Sequence, residues 1–338
     1  MDARAEPLID PWGRPVEYLR LSVTDRCDLR CVYCMGEATE FIPRSEILSL
    51  EEVAAVAQAF VELGVRKVRI TGGEPLVRRG VVGLMERLGA VPGLEELVVT
   101  TNGAQLAGHA HALRAAGVRR LNISLDSLDA ERFRRITRTG RLARVLEGIE
   151  VARSAGFERI RLNCIAMRGR NDDEIERLVA YAVERGLDIG FIEEMPFGTV
   201  EGHDRGEAYM ASAEVRARVE AAYRLVEAEP RPAAGPSRDY RVAGWDTRVG
   251  FISPHSGCFC ASCNRVRVTA EGLLLPCLGR EQATDLRAAL WAGPPEAASA
   301  RLRDAIRDGI RAKPAHHELD DQALGQSQVV RFMSATGG

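Results

Sequence analysis

The chain has 338 residues, enough for one large α/β domain or two smaller ones, each with a real core. Its formal net charge of −2, with 46% hydrophobic and 28% charged residues, gives no global electrostatic case for nucleic acid or a membrane surface as partner. No apolar run approaches the roughly 20 residues a bilayer span needs, and a start carrying Asp2, Glu6 and Asp10 does not read as a signal peptide, so the expectation is a cytoplasmic protein.

Apolar, β-branched runs alternate with amphipathic stretches along the first two thirds of the chain. Residues 19–24 read as a strand, and 50–63 as a helix with Ser49 as N-cap and Glu51 and Glu52 in its first turn. A strand over 67–71 is followed by a helix over 81–88, and a strand over 97–101 by a helix over 106–116. A strand over 121–125 precedes two helices, 130–136 and 141–155; a strand over 160–167 precedes a helix over 172–184; 189–193 is the sixth strand. Successive strand–helix units imply a parallel sheet with crossover helices, and six are too few for the closed eight-unit barrel. The expected fold class is therefore α/β, an incomplete (βα)6 TIM-type barrel over residues 14–228. Its active face should lie at the strand C-termini, where Asp25-Arg26-Cys27, Gly72-Gly73-Glu74-Pro75, Thr101-Asn102-Gly103 and Asp126-Ser127 fall.

The pattern then breaks. Residues 229–235 read as a linker or long loop. Short β-like pieces follow at 248–252 and 265–269, Gly293-Pro294-Pro295 separates two helical stretches, and periodicity fades from Lys313 onward, which reads as a tail. Residues 229–338 form the expected C-terminal extension.

Eight cysteines in a cytoplasmic chain point to metal or redox chemistry rather than to a disulfide framework. Cys27-x3-Cys31-x2-Cys34 follows the first strand, and three such thiolates hold three irons of a [4Fe–4S] cluster, leaving the fourth iron open. A structural zinc site wants four ligands in paired spacing. Cys260-x2-Cys263, with Cys277 later, supplies a second trio. A zinc knuckle with Cys258 or His255 as fourth ligand competes with the cluster there, and Cys258-x-Cys260 leaves that ligand set open. Arg265 and Arg267 alternate on a short strand and so share one face; guanidinium groups there suit phosphate. Residue chemistry alone reaches two clusters, one of them beside cationic side chains.

The cysteine motif, with Tyr33 before its last member and Gly72-Gly73-Glu74-Pro75 one strand–helix unit later, resembles the radical S-adenosylmethionine superfamily. Within it, the chain resembles the GTP 3′,8-cyclase family through seven segments in order: 20–27, 69–75, 100–103, 191–195, 263–267, 313–317 and the terminal Gly337-Gly338. This resemblance implies two [4Fe–4S] clusters, one on Cys27, Cys31 and Cys34 and one on Cys260, Cys263 and Cys277, the latter offering its open iron to guanine. It implies S-adenosylmethionine contacts at Tyr33, Gly73, Ser124 and Met195, and GTP contacts at Arg20, Arg69, Thr100, Arg161, Arg265 and Arg267, with Lys67 a weaker addition. Arg265, Arg267, Gly337 and Gly338 are implied in catalysis, the two glycines by reaching into the active site.

The implied chemistry is hydrogen removal from C3′ of GTP by a 5′-deoxyadenosyl radical, then attack of C3′ on C8, the first step of molybdenum cofactor biosynthesis. By the same resemblance the product passes to cyclic pyranopterin monophosphate synthase, and a donor such as flavodoxin or ferredoxin supplies electrons. The oligomeric state stays open, a homodimer included. Many relatives carry Arg just before the Phe-Ile-Glu motif, whereas this chain has Gly190, so a substrate contact is either missing or supplied by another Arg. Two rival readings are a radical enzyme that modifies a peptide with an auxiliary cluster, and a zinc-held scaffold. Cys164 reads as a small buried hydrophobe, Glu74 as structural or ligand-orienting, and Asp25 and Asp126 as ligand-orienting.

Overall fold

The computed structural model describes residues 7–36, 38–198, 200, 202–229, 235–319, 323 and 325–337; Gly338, expected at the active site, lies outside the described residues. Six parallel strands lie side by side in chain order: β1 (Tyr18–Ser22), β2 (Lys67–Thr71), β3 (Glu96–Thr101), β4 (Arg120–Ser124), β5 (Arg159–Ile165) and β6 (Asp188–Ile192). Between them run α1 (Leu50–Glu62), α2 (Val81–Gly89), α3 (Ala110–Ala115), α4 (Ala130–Thr137), α5 (Leu142–Ser154) and α6 (Ile175–Arg185). At the start of α1, Ser49 Oγ accepts from Glu52 N–H at 3.1 Å while the Glu52 carboxylate accepts from Ser49 N–H at 2.6 Å, a closed capping box.

Strand alternation sorts the side chains. Leu19, Leu21, Val68, Ile70, Leu121, Ile123 and Leu162 are buried in one core with the apolar faces of α1 to α6. The residues between them, Tyr18, Arg20, Lys67, Arg69, Asn122, Arg161 and Asn163, line a cavity of about 520 Å³ on the other side of the sheet.

The C-terminal extension builds onto the same sheet at both of its edges. After α7 (Arg205–Ala208) and α8 (Ser212–Ala222), β7 (Leu225–Glu227) and β8 (Arg238–Val242) join β9 (Arg248–Ile252), which pairs in parallel with β6. The chain then crosses to the opposite edge, where β10 (Arg265–Val268) pairs in parallel with β1 and carries β11 (Leu273–Leu275) and β12 (Thr284–Asp285) antiparallel beside it. Eight strands thus run parallel in a row, where strand–helix counting finds six. The added two are hidden from such counting because β7 and β8 intervene between α8 and β9, and because β10, of four residues, follows the cysteine loop with no helix longer than one turn before it. The row does not close on itself: β12 and β7 stand at its ends. Helices α9 (Leu286–Trp291) and α10 (Ala298–Arg311) cover the β11–β12 edge. Among the described residues no helix is long and apolar enough to cross a membrane.

The stretch after Lys313, expected as a tail, is packed instead. Lys313 is buried. Val329 bridges in parallel to Phe197, Gly198 N–H donates to Val329 O at 2.8 Å, and Gln328 N–H donates to Pro196 O at 3.0 Å. The segment ends in α11 (Met333–Thr336). It lacks periodicity because its backbone bonds go to the loop after β6 rather than to itself.

Candidate active site

Cys27, Cys31 and Cys34 follow the C-terminal end of β1 and face the cavity as free thiols. The Gly72–Pro75 turn holds their loop: Gly73 N–H donates to Thr24 O at 2.7 Å and Glu74 N–H to Arg26 O at 2.8 Å. Cys27 Sγ accepts from Leu29 N–H at 3.4 Å and from Asn102 Nδ2 at 3.7 Å. Burial, reinforced by Glu74, Cys34 and Asp28, pushes the Cys27 thiol up to about 12; burial pushes Cys34 to about 11 and Cys31 well above the usual thiol range. Thiols so placed become thiolates only when a bound cation compensates, which is the environment of a thiophilic metal centre. The donor set therefore fits an iron–sulfur cluster.

Around this trio, Tyr33 Oη donates to Asp126 Oδ2 at 2.7 Å, and Asp126 Oδ1 accepts from Ile165 N–H at 2.9 Å. Burial lifts the Asp126 carboxyl to about 6 despite these bonds. Glu74 accepts from Leu76 N–H at 3.0 Å, Thr101 Oγ1 at 2.8 Å and Asn102 N–H at 2.6 Å, so its part is structural. Gly73, Ser124 and Met195 line the same region. Asn163, which no motif announced, points a buried Oδ1 with no hydrogen-bond partner among the described residues, and it also lines the cavity.

A cationic wall lies on β10, β1 and β2. Register puts Arg267, Arg20 and Arg69 at one level and Arg265, Tyr18 and Lys67 at the level below. Arg69 Nη1 donates to Thr100 Oγ1 at 2.9 Å, and its Nε donates to Tyr18 Oη. Burial, opposed by Tyr18 and aided by Arg69 and Arg265, lowers Arg20 to about 10; burial, Arg20 and Arg265 hold Arg267 well below the usual guanidinium range. Guanidiniums that depress one another in this way form a site for a polyanion. Lys67, the weaker addition, is paired with Glu96 at 2.7 Å. Arg161 faces this wall from β5, with Nη1 on Asp239 Oδ1 at 2.9 Å.

Tyr18 is the acidic group among the six residues of these two levels. Burial opposes its ionisation, but Arg69, Arg20, Lys67 and Arg265 bring the phenol down to about 7. As pH falls through 7 the phenolate takes a proton, the wall gains one positive charge, and an anion should bind more tightly. Tyr18→Phe is expected to remove this step, of order tenfold in GTP Kd. Titration of GTP binding by wild type and variant from pH 6 to 8.5 checks it.

The second trio lies at the other end of the strands. Cys260 and Cys263 immediately precede β10, Cys277 follows β11, and all three line the cavity. Burial opposes ionisation of Cys263, but Arg265, Lys313 and Arg14 around it bring its thiol below the usual range. Burial instead raises Cys260 to about 11, and raises Cys277. The open question over Cys258 takes a specific form: Cys258, Cys260 and His317 bring their ligand atoms within 4.8 Å of one another. Yet His317 Nδ1 accepts from Leu319 N–H at 3.2 Å and Nε2 faces Pro254 O at 3.1 Å, so neither ring nitrogen is poised as a ligand. Cys258 is exposed. His255, the other zinc candidate, is buried, with its backbone N–H on Glu193 Oε2 at 3.1 Å, and it does not line the cavity.

The terminal segment enters between the two ends. Met333 and Ser334 line the cavity. The Gly337 carbonyl accepts from Arg267 Nη1 and, at 3.5 Å, from Arg20 Nη2. The structure thus brings every residue implied for a cluster, S-adenosylmethionine or GTP to the cavity or its terminal segment except Gly338, which is not described; Asp25, expected to orient a ligand, does not line the cavity and accepts from Ile42 N–H at 2.6 Å through Oδ2. Glu193 and Glu194 carry a role that sequence motifs did not reveal. Glu193 accepts from Ser212 N–H at 2.7 Å and Ser256 N–H at 3.1 Å, while Glu194 accepts from His203 Nε2 at 2.7 Å and Arg205 Nε at 3.1 Å, so the pair anchors the loops over the cavity.

Comparison with known proteins agrees with this architecture. Residues 21–182 match the radical SAM superfamily, and residues 187–319 match the family described as Molybdenum Cofactor Synthesis C. A GTP 3′,8-cyclase of Pseudomonas putida strain W619 is 55% identical with the whole of both chains covered. One of Ectopseudomonas mendocina is 58% identical, with 98% of each chain covered. Among solved structures, Streptococcus suis SuiB bound to S-adenosylmethionine superposes with a TM-score of 0.62 at 15% identity, covering 98% of this chain and 77% of that one, a likeness of fold. With two cysteine trios and a guanidinium wall lining one cavity, and relatives this similar over their full length, the chain belongs to the GTP 3′,8-cyclase family of radical S-adenosylmethionine enzymes.

Proposed function

We propose that the chain joins C3′ to C8 of GTP, giving 3′,8-cyclo-7,8-dihydro-GTP, the first step of molybdenum cofactor biosynthesis. One observation carries the reading: a single cavity has a cysteine trio at each end and buried guanidiniums between them. In this reading residues 14–228 and 229–338 supply the two halves of that cavity, and each trio, Cys27/Cys31/Cys34 and Cys260/Cys263/Cys277, holds a [4Fe–4S] cluster. Bound there, the first cluster would supply the reducing electron for cleavage of S-adenosylmethionine, and the second would supply a Lewis-acidic site for the guanine.

The chain's own residues bind, orient and exclude. Tyr33, Gly73, Ser124 and Met195 seat S-adenosylmethionine. Arg20, Arg69, Arg161, Arg265 and Arg267 take the triphosphate, with Thr100 beside Arg69. Arg265 and Arg267 lie nearest the second trio in sequence and stabilise charge at the base. Met333 to Gly337 keep water from the space between the trios. Reducing equivalents come from a flavodoxin- or ferredoxin-type donor, and the product passes in the cytoplasm to cyclic pyranopterin monophosphate synthase.

The decisive experiment uses anaerobically reconstituted, reduced protein. About eight irons with matching sulfide and GTP-dependent 5′-deoxyadenosine are expected; zinc without sulfide, or peptide-dependent but not GTP-dependent turnover, would sink the reading. The penultimate glycine gives a finer test. Gly337 has φ +78°, and a Cβ there would collide with Thr71 Cγ2. Gly337→Ala is expected to lower cyclised product roughly 10²-fold while the iron count stays unchanged.

A further inference from the structure

Gly190 and Gly250 stand opposite each other in register on β6 and β9. Neither has a positive φ, so backbone conformation does not call for glycine at these positions. Space does. A Cβ at Gly190 would lie 2.5 Å from Arg161 Nη2, 2.6 Å from Nε and 2.9 Å from Cζ, and a Cβ at Gly250 would come closer still to the same Nη2, to Asp239 Oδ1 and to Ser237 Oγ. The Arg161 side chain therefore leaves β5, passes over β6 and ends above β9.

Its guanidinium is held there from the β8 side. Nη1 donates to Asp239 Oδ1 at 2.9 Å, Nη2 donates to Ser237 Oγ at 2.7 Å, and Ser237 Oγ donates to Asp239 Oδ1 at 2.6 Å. Arg161 Nε is buried and has no hydrogen-bond partner among the described residues. The residue lines the cavity across from the β10–β1–β2 wall. A buried donor of a charged group is costly to leave unpaired, and here it adjoins a cavity read as taking an anion.

We propose that the Gly190–Gly250 pair is a seat that lets the Arg161 guanidinium lie over β6 and β9 at the cavity, where its unpartnered Nε supplies a contact to phosphate. Asp239 and Ser237 orient the guanidinium in that seat. The two glycines are positioning residues: they touch no substrate and act by leaving room. The inference rests on the reading of the cavity as a GTP site.

The test measures equilibrium binding of GTP and of guanosine, which lacks phosphates, to reconstituted holoenzyme, together with thermal unfolding. Arg161→Ala should weaken GTP about tenfold and leave guanosine unchanged. Gly190→Ala should weaken GTP as much in the wild-type background and add nothing in the Arg161→Ala background. Gly190→Arg in that background should restore GTP binding. Unfolding gives a second readout if the single variant fails to fold: Gly190→Ala should lower Tm only when Arg161 is present to be displaced. GTP affinity untouched by Gly190→Ala and Gly250→Ala, or losses that add fully to that of Arg161→Ala, would overturn the seat. Wild type that binds no GTP would instead overturn the substrate reading, and the Tm coupling would still report on the seat.

Discussion

Alanine at position 73 is expected to stop S-adenosylmethionine cleavage. A Cβ there would sit 2.5 Å from Asp25 O and 2.7 Å from Arg26 C, and closer still to Arg26 O. All three atoms are backbone of the loop that leads into Cys27, so no side chain can swing aside. Close-packed interiors transmit such a clash rather than absorb it. The loop must shift, and with it the Cys27 sulfur and the surface that receives the methionine group. A misplacement of about 1 Å costs roughly 10²-fold in rate, so 5′-deoxyadenosine formation should fall at least that far. Gly83 in α2 is the control. A Cβ there meets nothing within 4 Å, so Gly83→Ala should leave turnover unchanged and add up to about 1 kcal/mol of helix stability. Equal activity for the two variants would remove Gly73 from the site.

Asp10→Asn is expected to empty the second cysteine trio while sparing the first. Asp10 Oδ2 accepts from Arg14 Nε at 2.6 Å and from Lys313 Nζ at 3.0 Å. Those two cations in turn hold the cysteine loop: Arg14 Nη1 donates to Cys260 O at 2.7 Å, and Lys313 Nζ to Cys263 O at 2.6 Å. Arg14 also reaches Pro314 O at 2.6 Å and Ala315 O at 2.8 Å. The Asp10 and Lys313 side chains are 0% and 2% exposed, so water cannot replace the lost charge. Breaking one partner of a buried ion pair costs about 3–5 kcal/mol, enough to loosen this loop locally. Iron should drop from about eight to about four per chain, and cyclised product should vanish while the first cluster's spectrum persists. Acid should act in the same direction. Burial opposes the Asp10 charge, but Arg14 and Lys313 hold the carboxyl below the usual range, so its contribution is present above that range and is lost as pH falls through the lowered value. Full iron and an unchanged Tm in Asp10→Asn would discard this account.

The two variants differ in how visible their reasons were beforehand. Gly73 sits in a motif read at once from its spacing behind the cysteines. The role of Asp10 was invisible, because Lys313 and Arg14 meet it across 303 and 4 residues and only the folded chain joins them. The same division runs through the fold. Strand β2 and the start of α1 were read to the residue, since period-two alternation and an N-cap with Glu three residues on are local signals. Strands β7 and β8 were missed, as was α8, which buries only Ser212, Val215 and Val219 and so carries a faint apolar stripe. The parallel docking of β9 and β10 could not be read either, because each gains its place from an edge formed far away in sequence. Asn163 has no signature beyond its residue type, and Glu193 and Glu194 lie in a matched segment that does not tell what they hold. Arg161 was placed correctly on an inward strand position, but its company of glycines needed coordinates.

The way the last strands attach also fixes a timetable for the newborn chain. Strands β1 to β6 and the sulfurs of Cys27, Cys31 and Cys34 leave the ribosome before any of Cys260, Cys263 or Cys277 has been translated. Until β9 and β10 arrive, β1 and β6 present bare edges, an invitation to aberrant pairing. Residues 253–264 then link one flank of the sheet to the other, carrying two sulfurs of the later trio. The amino-terminal trio can accordingly come together on a half-made protein, whereas the carboxy-terminal trio is assembled only by the act of sealing both flanks.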